Sequence, residues 1–259
     1  MIGSSAPLPS ISVLGVRVHM LQMPETLRTL EDWIRERAGC RYIVATGMHG
    51  IMEARRNPDF KDILNSADLF VPDGISLIWT ARARGMRARK RVCGSDLMWE
   101  FFKLAELKGY RNFFYGDTKD TLERLTVRLK ENFPNLQIAG VHSPPFRATT
   151  GEEDAQDVRM INESGADVVW VGLGLPKQER WMFKQRDELN VPVLVGVGAA
   201  FKFLSGDVRR APAWVGDHGM EWLWRLVQEP RRVWRRVLFD APRFAGHVIL
   251  ESSGLRKYD

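Results

Sequence analysis

The chain has 259 residues, 44% of them apolar and 27% charged, with a net charge of +6 and a pI near 9.5. That length suits one large domain or a domain with an appendage, and the composition excludes a disordered or membrane-spanning chain. The positive balance favours an anionic partner: nucleic acid, a membrane surface or a phosphorylated substrate.

In chain order, Val13–Met20 predicts a first strand or a hairpin. Pro24–Ala38 reads as a helix with Leu27, Leu30 and Ile34 on one face. Tyr42–Ala45 is a strand ending at Thr46-Gly47, followed by a helix over Met48–Arg56. Asn57-Pro58 caps the next helix, and Asp68–Val71 is a short strand ending at Pro72-Asp73-Gly74. Helices over Ile75–Arg84 and Ser95–Lys108 flank a basic connection, Arg87 to Arg91. The second half repeats the rhythm. Strand Asn112–Tyr115 leads to Gly116-Asp117 and a helix carrying Leu122, Leu125 and Leu129. Strand Gln137–Val141, a Pro144-Pro145 loop and a helix from Glu152 to Ser164 follow. Strands Val168–Val171 and Val193–Val197, the latter ending at Gly198, complete the set. This alternation predicts an α/β fold, a mostly parallel sheet covered by helices. The order of strands is not legible.

The stretch Asp167–Trp181 (DVVWVGLGLPKQERW) carries the strongest local signal. An apolar run feeds a glycine turn, and Pro176 is expected at the first helical position. At the carboxyl end of a parallel strand such a turn binds ligands, because unpaired amides and a helix dipole meet there. Gly172 and Gly174 permit close approach, and Gln178 supplies a neutral amide; an ordinary βα turn fits the spacing equally well. Asp73 is the carboxylate best placed to act as general base, with helix N-capping as its alternative. Thr46 is open between ligand contact and capping of the Met48 helix.

Other chemistries lack their residues. Lys177 stands where the dinucleotide fingerprint needs its third glycine, and an acid about 20 residues on is missing, which argues against an NAD-dependent oxidoreductase. There is no Walker A loop, no D-x-D pair, no H-E-x-x-H and no G-x-S-x-G elbow, and the five histidines are dispersed. Neither a metal site nor a cofactor is expected. A diphosphate ligand would then need arginine, the candidates being Arg91, Arg209, Arg210, Arg225, Arg232 and Arg235. Cys40 and Cys93 make no C-x-x-C pair, the usage of a reducing compartment. With no signal-peptide pattern and no run near about 18 apolar residues, a cytoplasmic protein is expected, free to lie on a membrane.

Beyond Arg210 the composition changes. Trp214, Trp222, Trp224 and Trp234 fall there, and from Trp222 onward eight Lys and Arg stand against four acids. Pro230 and Pro242 divide this stretch into short helical pieces. Basic helices interleaved with tryptophan suit a membrane interface, and a solvated charged face is the plainer alternative.

Several segments together resemble one family. They are Thr46, PDG at Pro72–Gly74, RVxGxDL at Arg91–Leu97, GLGxPKQE at Gly172–Glu179, Gly196–Gly206, RAPxW at Arg210–Trp214, EWLxRL at Glu221–Leu226 and EPxR at Glu229–Arg232. In this collinear series, spanning about Val13 to Arg236, the chain resembles the WecG/TagA/CpsF family of bacterial glycosyltransferases. The resemblance implies a Rossmann-like core, residues 1–210, and an appendage, 211–259, that closes the site and contacts the inner membrane face. It implies an inverting, metal-independent transfer from a UDP-sugar to a polyprenyl-diphosphate-linked saccharide in surface-polysaccharide synthesis.

By position, Asp73 matches the base and Thr46 a neighbouring catalytic polar residue. Gln178 matches a glutamine beside the nucleotide sugar, and Arg225, Arg232 and Arg235 match arginines that engage the diphosphate. Arg91, Gly94, Asp96, Gly172, Gly174, Gly198 and Lys202 complete the expected substrate-binding set. Two departures bear on the donor: Met48 stands where the family commonly has Asn, and Lys202 where it commonly has Asp. They leave N-acetylmannosamine, a plain hexose and a uronic acid all open as the transferred sugar. Two further readings stay in view: a nucleotide-binding protein of this fold without transferase activity, and a basic nucleic-acid-binding module, though nucleic acid is not the expected partner. A homo-oligomer is open, without a heptad pattern to support it.

Overall fold

The computed structural model describes residues 8–209, 211, 221–228, 234 and 236–258. It opens on a hairpin, β1 (Ser10–Val13) and β2 (Val16–His19), antiparallel across Leu14 and Gly15. Both turn residues have positive φ, 50° and 79°, as a tight two-residue hairpin requires. The open choice at Val13–Met20 thus resolves to a hairpin. The chain then runs α1 (Met23–Glu36), β3 (Arg41–Thr46), α2 (Met48–Arg56), α3 (Pro58–Asn65), β4 (Leu69–Pro72), α4 (Ile75–Ala83) and α5 (Gly94–Lys108). It continues through β5 (Arg111–Gly116), α6 (Lys119–Asn132), β6 (Gln137–His142), α7 (Gly151–Ser164), β7 (Val168–Gly172), α8 (Lys177–Gln185), β8 (Val193–Gly196) and α9 (Ala200–Ser205).

Strands β3 to β8 form one parallel sheet in the order β4-β3-β8-β7-β5-β6. Alternate residues of each strand feed opposite cores. Tyr42, Val44, Phe70, Val169, Val171 and Leu194 meet the hairpin, α2, α3 and α8 on one face. Ile43, Leu69, Val71, Val168, Trp170 and Val195 meet α1, α5, α6 and α9 on the other. Trp170 is fully buried, edge-on to Phe101 and Phe102, and its indole N–H donates to Asn112 Oδ1 at 2.9 Å. A sheet covered on both faces explains why its strands read as continuous apolar runs.

The C-terminal region contains the helix Glu221–Gln228, a π-helical turn Arg236–Asp240 and the helix Ala241–Ser252. The last of these is anchored to the core. Phe244 is buried in the hairpin-side core, and the Glu251 carboxylate accepts from the Leu14 N–H at 3.0 Å and from Arg84 Nη2 at 2.5 Å. Asp240 pairs with Arg56 of α2. Val227, Leu238 and Ile249 remain well exposed. Among the described residues no helix is long and apolar enough to cross a membrane.

Candidate active site

All six strands of the sheet point the same way, so their carboxyl ends gather on one edge, where open α/β sheets bind ligands. Thr46, Asp73, Gly116-Asp117, Gly172–Gly174 and Gly198 all reach that edge.

The Asp73 side of the edge is closely packed. Gly74, not Asp73, is the N-cap of α4, and Gly47, not Thr46, is the N-cap of α2; neither helix start has a side-chain cap. Both capping alternatives are thereby removed. The Asp73 N–H donates to the Thr46 carbonyl at 3.1 Å, tying the two turns together. Glycine at 47 and 74 is a steric need, since a Cβ on either would lie 3.0 Å from the other's Cα. From the far side, the Val92 N–H donates to the Pro72 carbonyl at 2.9 Å, and Arg91 Nη1 reaches the Asp73 carbonyl at 3.5 Å.

Cys93 completes this cluster. Its thiol donates to the Asp73 carbonyl at 3.9 Å, and burial, followed by the negative charge of Asp73, holds its pKa well above the ordinary thiol value. Cys93 is therefore a protonated structural donor rather than a nucleophile. Gly94 opens α5 against the end of β8, where a Cβ would sit 3.2 Å from Val197 Cα and its carbonyl oxygen. The segment from Arg91 to Asp96 thus runs between the Asp73 turn and the Gly198 turn.

Across the edge lies a cleft of about 480 Å³ at the ends of β5 to β8. Gly172, Gly174, Gly198 and Lys202 line it, as do Asp117, Phe146, Arg147, Asp154, Lys177, Arg180, Trp181 and Lys184. Five cations thus face two carboxylates. Lys202 Nζ lies 3.9 Å from Asp117 Oδ1, and Lys184 binds Asp154 at 2.5 Å. Lys177 Nζ donates to the Phe146 carbonyl, which fixes the loop that carries the exposed Phe146 ring. Tyr115 stacks on Trp181 at 4.3 Å as the cleft's inner wall. Asp73 follows β4 and Gly198 follows β8, two strand positions apart, or about 10 Å across the sheet.

Two expectations change here. The Leu175–Pro176 peptide is cis, and Pro176, at φ −91° and ψ 6°, is the N-cap residue outside α8 rather than its first helical residue. The Gly174 and Gly198 amides are not open to a ligand either. Gln178 Oε1 accepts from the Gly174 N–H at 3.2 Å and the Gly198 N–H at 3.0 Å, and its Nε2 donates to Glu179 Oε1 at 2.8 Å. Only 2% exposed, Gln178 braces both glycine turns from behind instead of presenting an amide to the cleft.

Met48 packs half-buried against the hairpin-side core. Arg225 lies in the helix Glu221–Gln228, its side chain outside the described set, while Arg210, Arg232 and Arg235 fall outside the described residues. So do residues 212–220 of the proposed appendage. Sequence reasoning passed over Phe146, Arg147, Arg180 and Lys184. A signal was present: Lys177, Arg180 or Trp181, and Lys184 recur at the spacing of one helix face. Among the described residues no group of three or more His, Cys, Asp or Glu is arranged to hold a metal ion.

Comparison with known proteins identifies the family. Residues 11–258 match the model of the glycosyl transferase WecG/TagA/CpsF family. An N-acetylglucosaminyldiphosphoundecaprenol N-acetyl-beta-D-mannosaminyltransferase of Bacillus spizizenii is 34% identical over 209 residues, 80% of this chain and 78% of that protein. The protein of the same description from Bacillus subtilis is 31% identical over 79% of this chain and 77% of its own length. One from Staphylococcus aureus is 26% identical over 87% of each. The chain belongs to the WecG/TagA/CpsF family and is a glycosyltransferase.

Proposed function

We propose that this enzyme moves one sugar, with inversion and without a metal, from a UDP-sugar to a polyprenyl-diphosphate-linked saccharide at the inner membrane face. The observation that carries the reading is the pairing on one sheet edge of a carboxylate turn, Asp73, with a cation-lined cleft about 10 Å away. Asp73 takes the proton of the acceptor hydroxyl as its oxygen attacks the anomeric carbon. The bond to the UDP oxygen breaks, and the leaving diphosphate carries the electron pair into the cleft. There Lys177, Arg180 and Lys202 offset its charge, which is the electrostatic contribution such a displacement needs. The exposed Phe146 ring at the rim supplies a face on which a base stacks. The arginines at 225, 232 and 235 are assigned to the acceptor's diphosphate by family position alone.

The relatives' names support an acceptor of this class, an N-acetylglucosaminyl diphosphoundecaprenol. For the donor, the pairing of Lys202 with Asp117 weakens the case for a uronic acid, since the lysine has a carboxylate beside it already. The packing of Met48 into the core weakens the case against N-acetylmannosamine. Mass spectrometry of a short-chain polyprenyl-diphosphate N-acetylglucosamine, incubated with UDP-N-acetylmannosamine, UDP-glucose and UDP-glucuronic acid in turn, tests the reading. A gain of one sugar residue is expected with one of the first two. No product from any donor, with folded enzyme, overturns it.

A further inference from the structure

Between Asp73 and Asp96 the chain has six cations, Arg82, Arg84, Arg87, Arg89, Lys90 and Arg91, and no acid. Three of them have structural tasks. Arg84 binds Glu251, Arg91 reaches the Asp73 carbonyl, and Arg82 donates through Nε to the Ala88 carbonyl at 2.7 Å and through Nη2 to the Arg89 carbonyl at 2.6 Å. Gln22 clamps the same loop from α1, accepting from the Lys90 N–H at 2.9 Å and donating to its carbonyl at 3.3 Å. With Ala88 buried and the main chain held from inside, Arg87, Arg89 and Lys90 are all exposed. None of these three has an ion pair among the described residues, whereas other surface cations, such as Arg35, Lys103 and Arg124, have acidic partners. Trp79 stands one helical turn before Arg82 and Ala83 on α4 and is 54% exposed.

We propose that Trp79 with Arg87, Arg89 and Lys90 forms a docking surface for the anionic headgroups of a phospholipid bilayer, separate from the C-terminal helices. The occupant is argued from charge complementarity. A fixed loop that turns outward three cations with no ion pair among the described residues, and that follows a helix with an exposed tryptophan, matches an interface with phosphate at its surface and acyl chain below. The loop ends in Arg91 and Val92, which bond to the Asp73 turn, so a bilayer held here lies beside the base. The purpose of this placement rests on the lipid-linked acceptor of the proposed function; the docking itself does not.

The test is co-sedimentation of the full chain with vesicles of phosphatidylcholine alone and of phosphatidylcholine mixed with phosphatidylglycerol. Wild type is expected on the mixed vesicles only, with binding that weakens as salt rises. At about 1 kcal/mol per cation near an anionic surface, the triple variant Arg87→Ser, Arg89→Ser, Lys90→Ser loses roughly a hundredfold in affinity. Trp79→Ala alone weakens binding too, and the melting temperature of each variant stays at the wild-type value. The triple variant keeps its rate on a water-soluble short-chain acceptor; absence of transfer in wild type itself speaks against the proposed function and leaves the vesicle result standing. The docking surface is overturned if the folded triple variant binds mixed vesicles like wild type, or if wild type binds neutral vesicles equally well.

Discussion

Replacing Asp73 by Asn is expected to lower kcat by roughly a hundredfold to ten-thousandfold, the usual range for loss of a general base. The substitution keeps the side chain's size and removes its ability to take a proton. The main chain of the turn has bonds of its own. It is set by the Thr46 carbonyl, the Arg91 and Cys93 donors to the Asp73 carbonyl, and the close approach of Gly47 to Gly74. The melting temperature and KM for the sugar donor are therefore expected to stay near wild type, with the loss confined to turnover. Steady-state kinetics beside a thermal melt separates the two. A folded Asp73→Asn variant that turns over at the wild-type rate removes the base assignment.

The second large effect concerns stability and its dependence on pH. Glu179 is fully buried, and burial raises its pKa to about 7, opposed by the hydrogen bond from Gln178. Its second oxygen has no hydrogen-bond partner among the described residues. The direction follows from proton binding. Between the unfolded value of 4.5 and about 7 the folded protein holds a proton that the unfolded chain has released. Stability from this group is therefore fully present below pH 4.5, falls as pH rises through that window, and levels off above it. Glu179→Gln keeps an oxygen to accept from Gln178 and abolishes the titration. The variant is expected to match wild type near pH 5 and to exceed it near pH 8 by on the order of 3 kcal/mol. Denaturant unfolding at the two pH values measures this, and an advantage that does not grow with pH contradicts a buried, titrating Glu179.

Much of the fold is legible from the residues because turn chemistry punctuates it. Asn57-Pro58 opens α3, with the Asn57 side chain accepting from the Phe60 N–H, and Gly165 closes α7 in the left-handed conformation. Strand order is not legible, for a physical reason. Ile43, Phe70, Trp170 and Leu194 belong to strands buried on both faces, and an apolar run states that it is buried without stating beside which neighbour. The adjacency of β3 and β8, some 150 residues apart in the chain, is decided by the packing of the helix layers.

The site divides in the same way. Asp73 and Thr46 were visible because a proline, glycines and a strand end fix a carboxylate and a hydroxyl at the sheet edge. The direction in which Gln178 points was not, since an amide at a helix start suits a ligand and a buried brace equally. The cleft's outer wall was overlooked because its cations arise from the outward face of α8 and from the Pro144–Thr149 loop, away from any glycine signal.

A UDP site formed by side-chain cations, about 10 Å across the sheet from Asp73, is central to the proposed transfer. Isothermal titration of the full chain with UDP, in the presence of EDTA, tests this most directly. Binding in the micromolar range that EDTA leaves unchanged, weakened about tenfold by Lys202→Ala, is the expected result. Binding that disappears with EDTA, or a folded protein that takes up no UDP at all, contradicts it.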